Sequence, residues 1–368
     1  MKISFNKDSV AKKLAGIKGV VESKSTMPIL SHFLLKAEQD KCSIQGTDLE
    51  LHIKEPIEAK VEEPGVICIP GHKFSEVVKE LDGEISLQTE DKDGSWVKVK
   101  SKSVNYRIAC LPAADFPTWP VLEGEELTIK LNAKRLASIL SKTLYAAGES
   151  DNRYTLNGIL FHVNPEAKTL SFVGTDGNRM ALMSIPLGAD KEVKAIIPKK
   201  HLVELKKFLT IEGDIIIKFG KNNVLFDFGD RQIFSRLIEG TYPNYSQIIP
   251  LNNGNKLLVG TEAFLRTLRR VAVMSSKKRC VIIDIKEGEK TSIVSCSEAN
   301  TGEAQDELPV DYFGGDIRLG FNPDYLLDAL AAMESEKVVL NLEGTLTPAL
   351  LIPEGDTMYK CVVMPVRL

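Results

Sequence analysis

The chain has 368 residues, 47 Lys and Arg against 50 Asp and Glu, a net charge of −3, and 43% hydrophobic residues. At ~100–200 residues per domain this size predicts two or three domains. No apolar run approaches the ~18 residues of a membrane helix, and the slightly acidic balance argues against a protein that is basic all over. The first residues, MKISFNKDSV, carry no apolar signal-peptide core, so the expected location is the cytoplasm. Six dispersed cysteines with no Cys-x-x-Cys pair fit reduced, buried small side chains better than a zinc site or a disulfide framework.

In chain order, three stretches repeat one pattern: KISFNKDSVAKKLAGI at 2–17, TIKLNAKRLASIL at 128–140 and KLLVGTEAFLRTL at 256–268. Each predicts a short strand, a capping residue (Asn6, Asn132, Thr261) and an amphipathic helix. Val10/Leu14, Leu136/Leu140 and Phe264/Leu268 share the i, i+4 apolar spacing. A second trio, CIPGHKFSEVVKEL at 68–81, IIPKKHLVELKKFL at 196–209 and LGFNPDYLLDALAAM at 319–333, predicts strand, breaker and helix. There Phe74, Leu202 and Leu326 correspond, as do Val77, Leu205 and Ala329. Alternating segments between them predict antiparallel strands. Two of these segments share Gly-Thr-Asp, at 46–48 and 174–176. The reading is an α+β chain of three repeated domains, each with two helices packed on antiparallel sheets, with bounds 1–124, 125–252 and 253–368. The breaks fall in the polar, Gly-containing stretches VLEGEE (121–126) and LNNGNK (251–256).

Charge is not spread evenly over this pattern. The six helix windows 6–20, 70–81, 132–147, 198–209, 261–274 and 322–333 together carry +9, which leaves −12 for the rest. On a helical wheel Arg266, Arg269 and Arg270 oppose Phe264, Leu268 and Val271, and Lys134, Arg135 and Lys142 oppose Leu136 and Leu140. Segregation by sign points to a polyanion met by the helices through sequence-blind phosphate contacts.

Catalytic chemistry finds no support. The five histidines form no metal-ligand cluster, and neither a phosphate-binding loop nor a dinucleotide fingerprint occurs, so no catalytic residue, metal or cofactor is assigned. Asp48 and Asp176 could be read as paired carboxylates, but their equivalent places in two repeats favour a turn role. Two other readings stay open on the residues alone: an α+β enzyme without a recognisable motif, and a repeat scaffold for protein partners.

Eight blocks in order, TMPIL (26–30), GTDLE (46–50), LPAADFP (111–117), RYTLNGILF (153–161), GTDGNRMAL (174–182), GTYPNYSQIIP (240–250), FNPDYLLDAL (321–330) and VVMPVRL (362–368), resemble the bacterial sliding clamps, the beta subunits of DNA polymerase III, over the whole chain. The resemblance implies the DNA-clamp fold and a head-to-tail homodimer closed into a ring, with helices inside and sheets outside. It implies a non-catalytic processivity subunit that encircles duplex DNA and tethers replicative and repair polymerases, placed there by a clamp loader. It implies a pocket for short linear motifs of polymerase subunits, clamp loader and repair proteins. Its residues here would be Leu156, Thr175, Gly177, Asn178, Arg179, Met180, Pro243, Gln247, Ile248, Asn322, Tyr325, Leu346, Pro348, Val362, Met364, Pro365, Val366 and Arg367. For DNA it points to Lys24, Arg153 and Tyr154, with Lys199 and Lys200 as weaker candidates. For the dimer it points to Tyr106 and Ile108 against Val273 and Met274. Asn178 stands where the family can carry histidine, Gln247 where it can carry arginine, and Lys278 near an aromatic position. These departures bear on motif preference at the rim.

Overall fold

The computed structural model describes residues 1–21, 26–91, 94–250, 254–275, 280–298 and 302–368. Six α-helices occur among them, one in each expected window: α1 Lys7–Ile17, α2 Gly71–Glu80, α3 Ala133–Thr143, α4 Lys199–Lys206, α5 Thr261–Ala272 and α6 Pro323–Ala331. Each begins where a strand ends, because a capping or breaking residue turns the chain there. The Asn6 side chain accepts from the amides of Asp8 and Ser9, the Asn132 side chain from Arg135 N, and the Asn322 side chain from Asp324 N. Thr261 departs from expectation. Gly260 occupies the cap position of α5, and Thr261 lies inside the first turn with its hydroxyl buried and unpartnered.

The matched apolar positions are where the helices pack. Phe74, Leu202 and Leu326 are fully buried, as are Val10, Leu14, Leu136, Leu140, Phe264 and Leu268. Each such side chain contributes about 1.5–3 kcal/mol by leaving water. The period-two pattern works the same way in the sheets: Trp96–Ser101 alternates outward and inward side chains, whereas Gly158–Asn164 is buried on both faces and reads as an almost continuous apolar run.

Two compact units result, each described by itself: residues 1–137 with 200–237, and residues 138–199 with 238–368. The first unit holds a five-stranded sheet in the order Ala59–Glu63, Lys2–Asn6, Glu84–Thr89, Trp96–Ser101, Val104–Ala109. It also holds an eight-stranded sheet in which the second repeat joins the first, through Gln232–Arg236 beside Leu51–Ile57 with Phe234 opposite His52. The second unit is built on a twelve-stranded sheet in which the second repeat joins the third in the same way. Here Arg179–Pro186 pairs antiparallel with Tyr359–Val363, Met180 opposite Val362. Every named pairing is antiparallel, as the alternation predicted.

The six cysteines are unpaired; all but the half-buried Cys280 are buried. Among the described residues no helix is long and apolar enough to cross a membrane.

Candidate partner-docking pocket and DNA-facing residues

In the second unit Arg179, Met180, Val362, Ile248 and Met364 of the expected pocket meet along one seam, the line where Arg179–Pro186 meets Tyr359–Val363. At its start the Gly-Thr-Asp stretch makes a tight turn. Thr175 Oγ1 accepts from Gly177 N at 3.1 Å and donates to Arg179 O at 2.7 Å. Asp176 Oδ1 accepts from the amides of Asn178 and Arg179 at 2.9 and 3.0 Å. This is the Asx-turn role expected for the aspartate. Gly177 sits at φ +86°, and a Cβ there would come within 2.8 Å of the Arg153 guanidinium. The positive φ is what favours glycine here, since the Arg153 guanidinium is the end of a flexible side chain that could give way.

Arg179 is the keystone of this seam. Its guanidinium, 14% exposed, donates from Nε to Asp176 Oδ2 at 3.0 Å, from Nη1 to Asp328 Oδ2 at 2.5 Å and from Nη2 to Tyr145 O at 2.7 Å. It also lies over the rings of Tyr325 and Tyr145, at 4.7 and 5.4 Å. Burial alone would lower its pKa, but the Asp328 hydrogen bond and the charges of Asp176 and Asp328 outweigh that and raise it. One side chain thus ties the turn to α6, whose Asn322 cap and Tyr325 belong to the expected pocket.

The apolar floor follows. Met180 and Val362 are buried in one cluster with Leu160, Val173, Tyr242 and Leu350, and Ile248 packs on it half-exposed. Leu156 is buried below the Arg153–Tyr154 bend. The segment after Val363 is tied down twice, by Met364 N to Asn178 O at 2.9 Å and by Val366 N to Gly320 O at 2.7 Å. It leaves the side chains of Met364, Arg367 and Leu368 exposed and those of Pro365 and Val366 half-buried. Pro365 has no N–H to continue a strand ladder. Leu346 is 66% exposed, Pro348 is half-buried, and Pro243 and Gln247 are exposed on the 240–250 loop. Met364 and Leu346 thus expose apolar side chains in this unit, and Asn178, Gln247 and Arg367 are exposed as well.

The expected DNA residues stand differently. Lys24 lies outside the described residues. Tyr154 is 76% exposed. The Arg153 guanidinium forks onto Asp151 at 3.0 and 2.8 Å and reaches Asp176 O at 3.0 Å. The hydrogen bonds from the Arg153 side chain and amide hold the Asp151 carboxyl at about 2. Lys199 is mostly covered and bonds Ala147 O and Glu149, and Lys200 pairs with Asp48 at 2.8 Å.

On the helices, Lys134, Arg135, Arg266, Arg269 and Arg270 are exposed as expected, with Lys134 paired to Glu212, Arg266 to Glu262 and Arg270 to Asp306. Lys142 does not fit the expected basic face. Its side chain is 13% exposed, folded against Glu334 and over the Tyr359 ring. A long aliphatic stem can cover an aromatic ring while its charge finds a carboxylate.

For the dimer residues, Val273 is 75% exposed at the end of α5, Met274 and Tyr106 are half-buried, and Ile108 is already buried within its own unit. Sequence reasoning missed Tyr145, Asp176 and Asp328 as the holders of Arg179. Asp328 is 149 residues from Arg179, and no local pattern links them.

Three family models match the chain in order: the DNA polymerase III beta subunit N-terminal domain over residues 1–120, the central domain over 130–244 and the C-terminal domain over 246–367. The chain belongs to the DNA polymerase III beta subunit family. A beta sliding clamp of Pseudomonas putida is 34% identical over 377 residues, covering 100% of both chains. The sliding clamp of Bacillus subtilis superposes with a TM-score of 0.94 at 26% identity, covering 100% of this chain and 99% of that one. A Caulobacter crescentus beta sliding clamp, with polyethylene glycol bound to its beta-motif tethering region, superposes at 0.93 with 30% identity and full coverage of both. The protein is a sliding clamp, a processivity subunit that performs no chemistry itself. Of the three expected rim departures, Asn178 and Gln247 are exposed, and Lys278 lies outside the described residues.

Proposed function

We propose that two copies of this chain close head to tail into a ring around duplex DNA, and that polymerase, clamp-loader and repair subunits dock short motifs on the Arg179–Met364 seam. The domain bounds we propose are 1–124, 125–252 and 253–368; the C-terminal family match starts earlier, at residue 246. The observation that carries the docking reading is the seam itself: an apolar floor of Met180, Val362 and Ile248, closed on one side by a tail that is hydrogen-bonded in place with Met364 exposed. The tethering region of the Caulobacter relative supports it.

Two strand edges support the ring. Val104–Ala109 has a neighbour on one side only, Trp96–Ser101. In Gly302–Phe313 the last four residues pair with Lys256–Val259, while those from Gly302 to Pro309 pair, among the described residues, only with Thr291–Glu298. Unpaired edges of this kind recruit a strand from another chain. Met274 Sδ lies 4.0 Å from where a Cβ on Gly302 would stand, at the start of the second edge, beside the exposed Val273. An antiparallel pairing of the two edges would bring Tyr106 and Ile108 to Val273 and Met274 of the other copy, a heterologous contact that closes when its rotation allows. In that ring Arg153, Tyr154, Lys199, Lys200, Lys24 and the helix arginines meet the phosphates. Because many of these cations are already paired with carboxylates, their hold on phosphate is weak, as sliding requires.

Light scattering tests the ring: the account expects a mass near twice 40.6 kDa, and a monomer at micromolar concentration contradicts it. DNA retention tests encirclement. Protein loaded on nicked circles should stay until the circle is linearised, and equal retention on both forms would sink the topological mechanism.

A further inference from the structure

The 240–250 loop, which supplies Pro243, Gln247 and Ile248 to the seam, is fastened to its sheet by two tyrosines. The Tyr242 hydroxyl, buried, donates to Val173 O at 3.0 Å. The Tyr245 hydroxyl lies 2.7 Å from His162 Nδ1, and His162 Nε2 lies 2.9 Å from Glu192 Oε1. The two rings meet edge to face at 5.8 Å. His162 is only 7% exposed, on Gly158–Asn164, and Glu192 is held in turn by Lys194 at 2.7 Å. An ionised carboxylate can only accept, so His162 Nε2 donates to Glu192, and in the neutral imidazole Nδ1 is the acceptor for the Tyr245 hydroxyl. Two hydrogen bonds thus run from Glu192 through His162 to Tyr245. Tyr245 opens the short helical turn Tyr245–Gln247, where Ile248 N bonds back to Tyr245 O at 3.2 Å.

We propose that His162 is a positioning residue for the docking pocket, acting through Tyr245 to fix the loop wall that carries Gln247 and Ile248. The inference rests on the pocket reading above. Without the Nδ1 acceptor the loop keeps the Tyr242 bond, the apolar packing of Tyr245 and Ile248 and the Tyr245–Ser171 contact, but its wall is held less firmly, and a peptide must order it on binding. His162 itself touches no peptide.

The test measures binding of a fluorescent peptide copied from a polymerase tail to the full-length protein. Tyr245→Phe and His162→Leu should each weaken binding about three- to tenfold, the loss of one hydrogen bond, and the double variant should be no weaker than either alone. His162→Asn places an amide oxygen near the Nδ1 position and should restore binding to within about twofold. A merely structural role would make Asn and Leu weaken binding alike, in proportion to their loss of thermal stability. Met364→Glu, at the pocket itself, serves as the control. If it binds peptide as wild type does, the pocket reading fails and takes this inference with it. If it loses binding while Tyr245→Phe and His162→Leu keep wild-type affinity, the pocket stands and the inference is overturned. Should His162→Leu fail to fold, Tyr245→Phe and His162→Asn decide the matter: weak and near-normal binding support the proposal, and any other pair refutes it.

Discussion

The two Gly-Thr-Asp turns began as the same device and have diverged. In the first unit Thr47 Oγ1 accepts from Leu49 N at 2.9 Å, and Asp48 Oδ1 accepts from the amides of Glu50 and Leu51 at 3.1 and 2.8 Å. These are the bonds of the 174–179 turn, and each turn leads into a strand that carries its sheet across to the next repeat. The residues that follow differ. Where the second unit has Gly177, Arg179 and Met180, the first has Leu49, Leu51 and His52. His52 is buried, edge to face with Trp119 at 6.0 Å and Phe234 at 6.1 Å. Its Arg236 makes only an exposed pair with Glu50. The first seam is filled by its own rings. The second is braced by Arg179 and carries the exposed Met364 where we propose that a partner docks. A repeat supplies the frame, and a few side chains decide whether the frame becomes a site.

The largest expected effect comes from the brace. Arg179→Ala removes the three hydrogen bonds of a largely covered guanidinium, while Asp328 is half exposed and Asp176 keeps its backbone amides, and should cost about 2–3 kcal/mol, read from the urea midpoint. Arg236→Ala, at the exposed pair of the first unit, should change stability by less than about 0.5 kcal/mol. Equal losses would erase the distinction between the seams.

Acid should also separate the units. Burial pushes the pKa of His201, in the first unit, down to about 4, and lowers that of His52. Between pH 4 and about 6.5 the unfolded chain then binds protons that the folded chain refuses, so stability is complete above about 6.5 and falls as pH drops toward 4. The loss from His201 is on the order of 2 kcal/mol. His201→Gln should flatten this slope in thermal melts run from pH 7 to 4.5; an unchanged slope would remove His201 as its source.

Gly177→Ala adds a side chain at positive φ against Arg153 and should cost about 1–2 kcal/mol. Leu49 already tolerates φ +76°, so Leu49→Gly should shift stability by less than about 1 kcal/mol, relief of strain being offset by the freedom gained in the unfolded chain. Smallest is the capping contrast. Asn322→Ala should cost about 1 kcal/mol, whereas Thr261→Val should be neutral or stabilising because its hydroxyl is buried without a partner. A clear loss from Thr261→Val would show that the hydroxyl is bonded.

How much of this was legible in the sequence follows from the range of each interaction. Helix windows, matched core positions and Asx turns are set within a few residues, and the i, i+4 spacing, Asn6, Asn132 and Asp176 revealed them. The cap at Thr261 misled because Gly260 and Thr261 are both acceptable starts, and packing chose between them. Lys142 misled because a helical wheel shows which side a charge leaves the axis, not that Glu334, far away in the chain, will fold it back. The brace on Arg179 depends on Asp328 and the carbonyl of Tyr145, and the fastening of the 240–250 loop depends on His162. Such partners meet only through the sheet, so period and spacing cannot show them.

The most direct test of the contrast is a calorimetric titration of the polymerase-tail peptide into the full-length protein and into a variant lacking Met364–Leu368, both confirmed folded and dimeric. The account predicts one peptide per chain for the full protein, the same for Leu49→Ala at the first seam, and no measurable binding for the truncated variant, with loss of polymerase stimulation. Unchanged affinity in the truncated protein would contradict it.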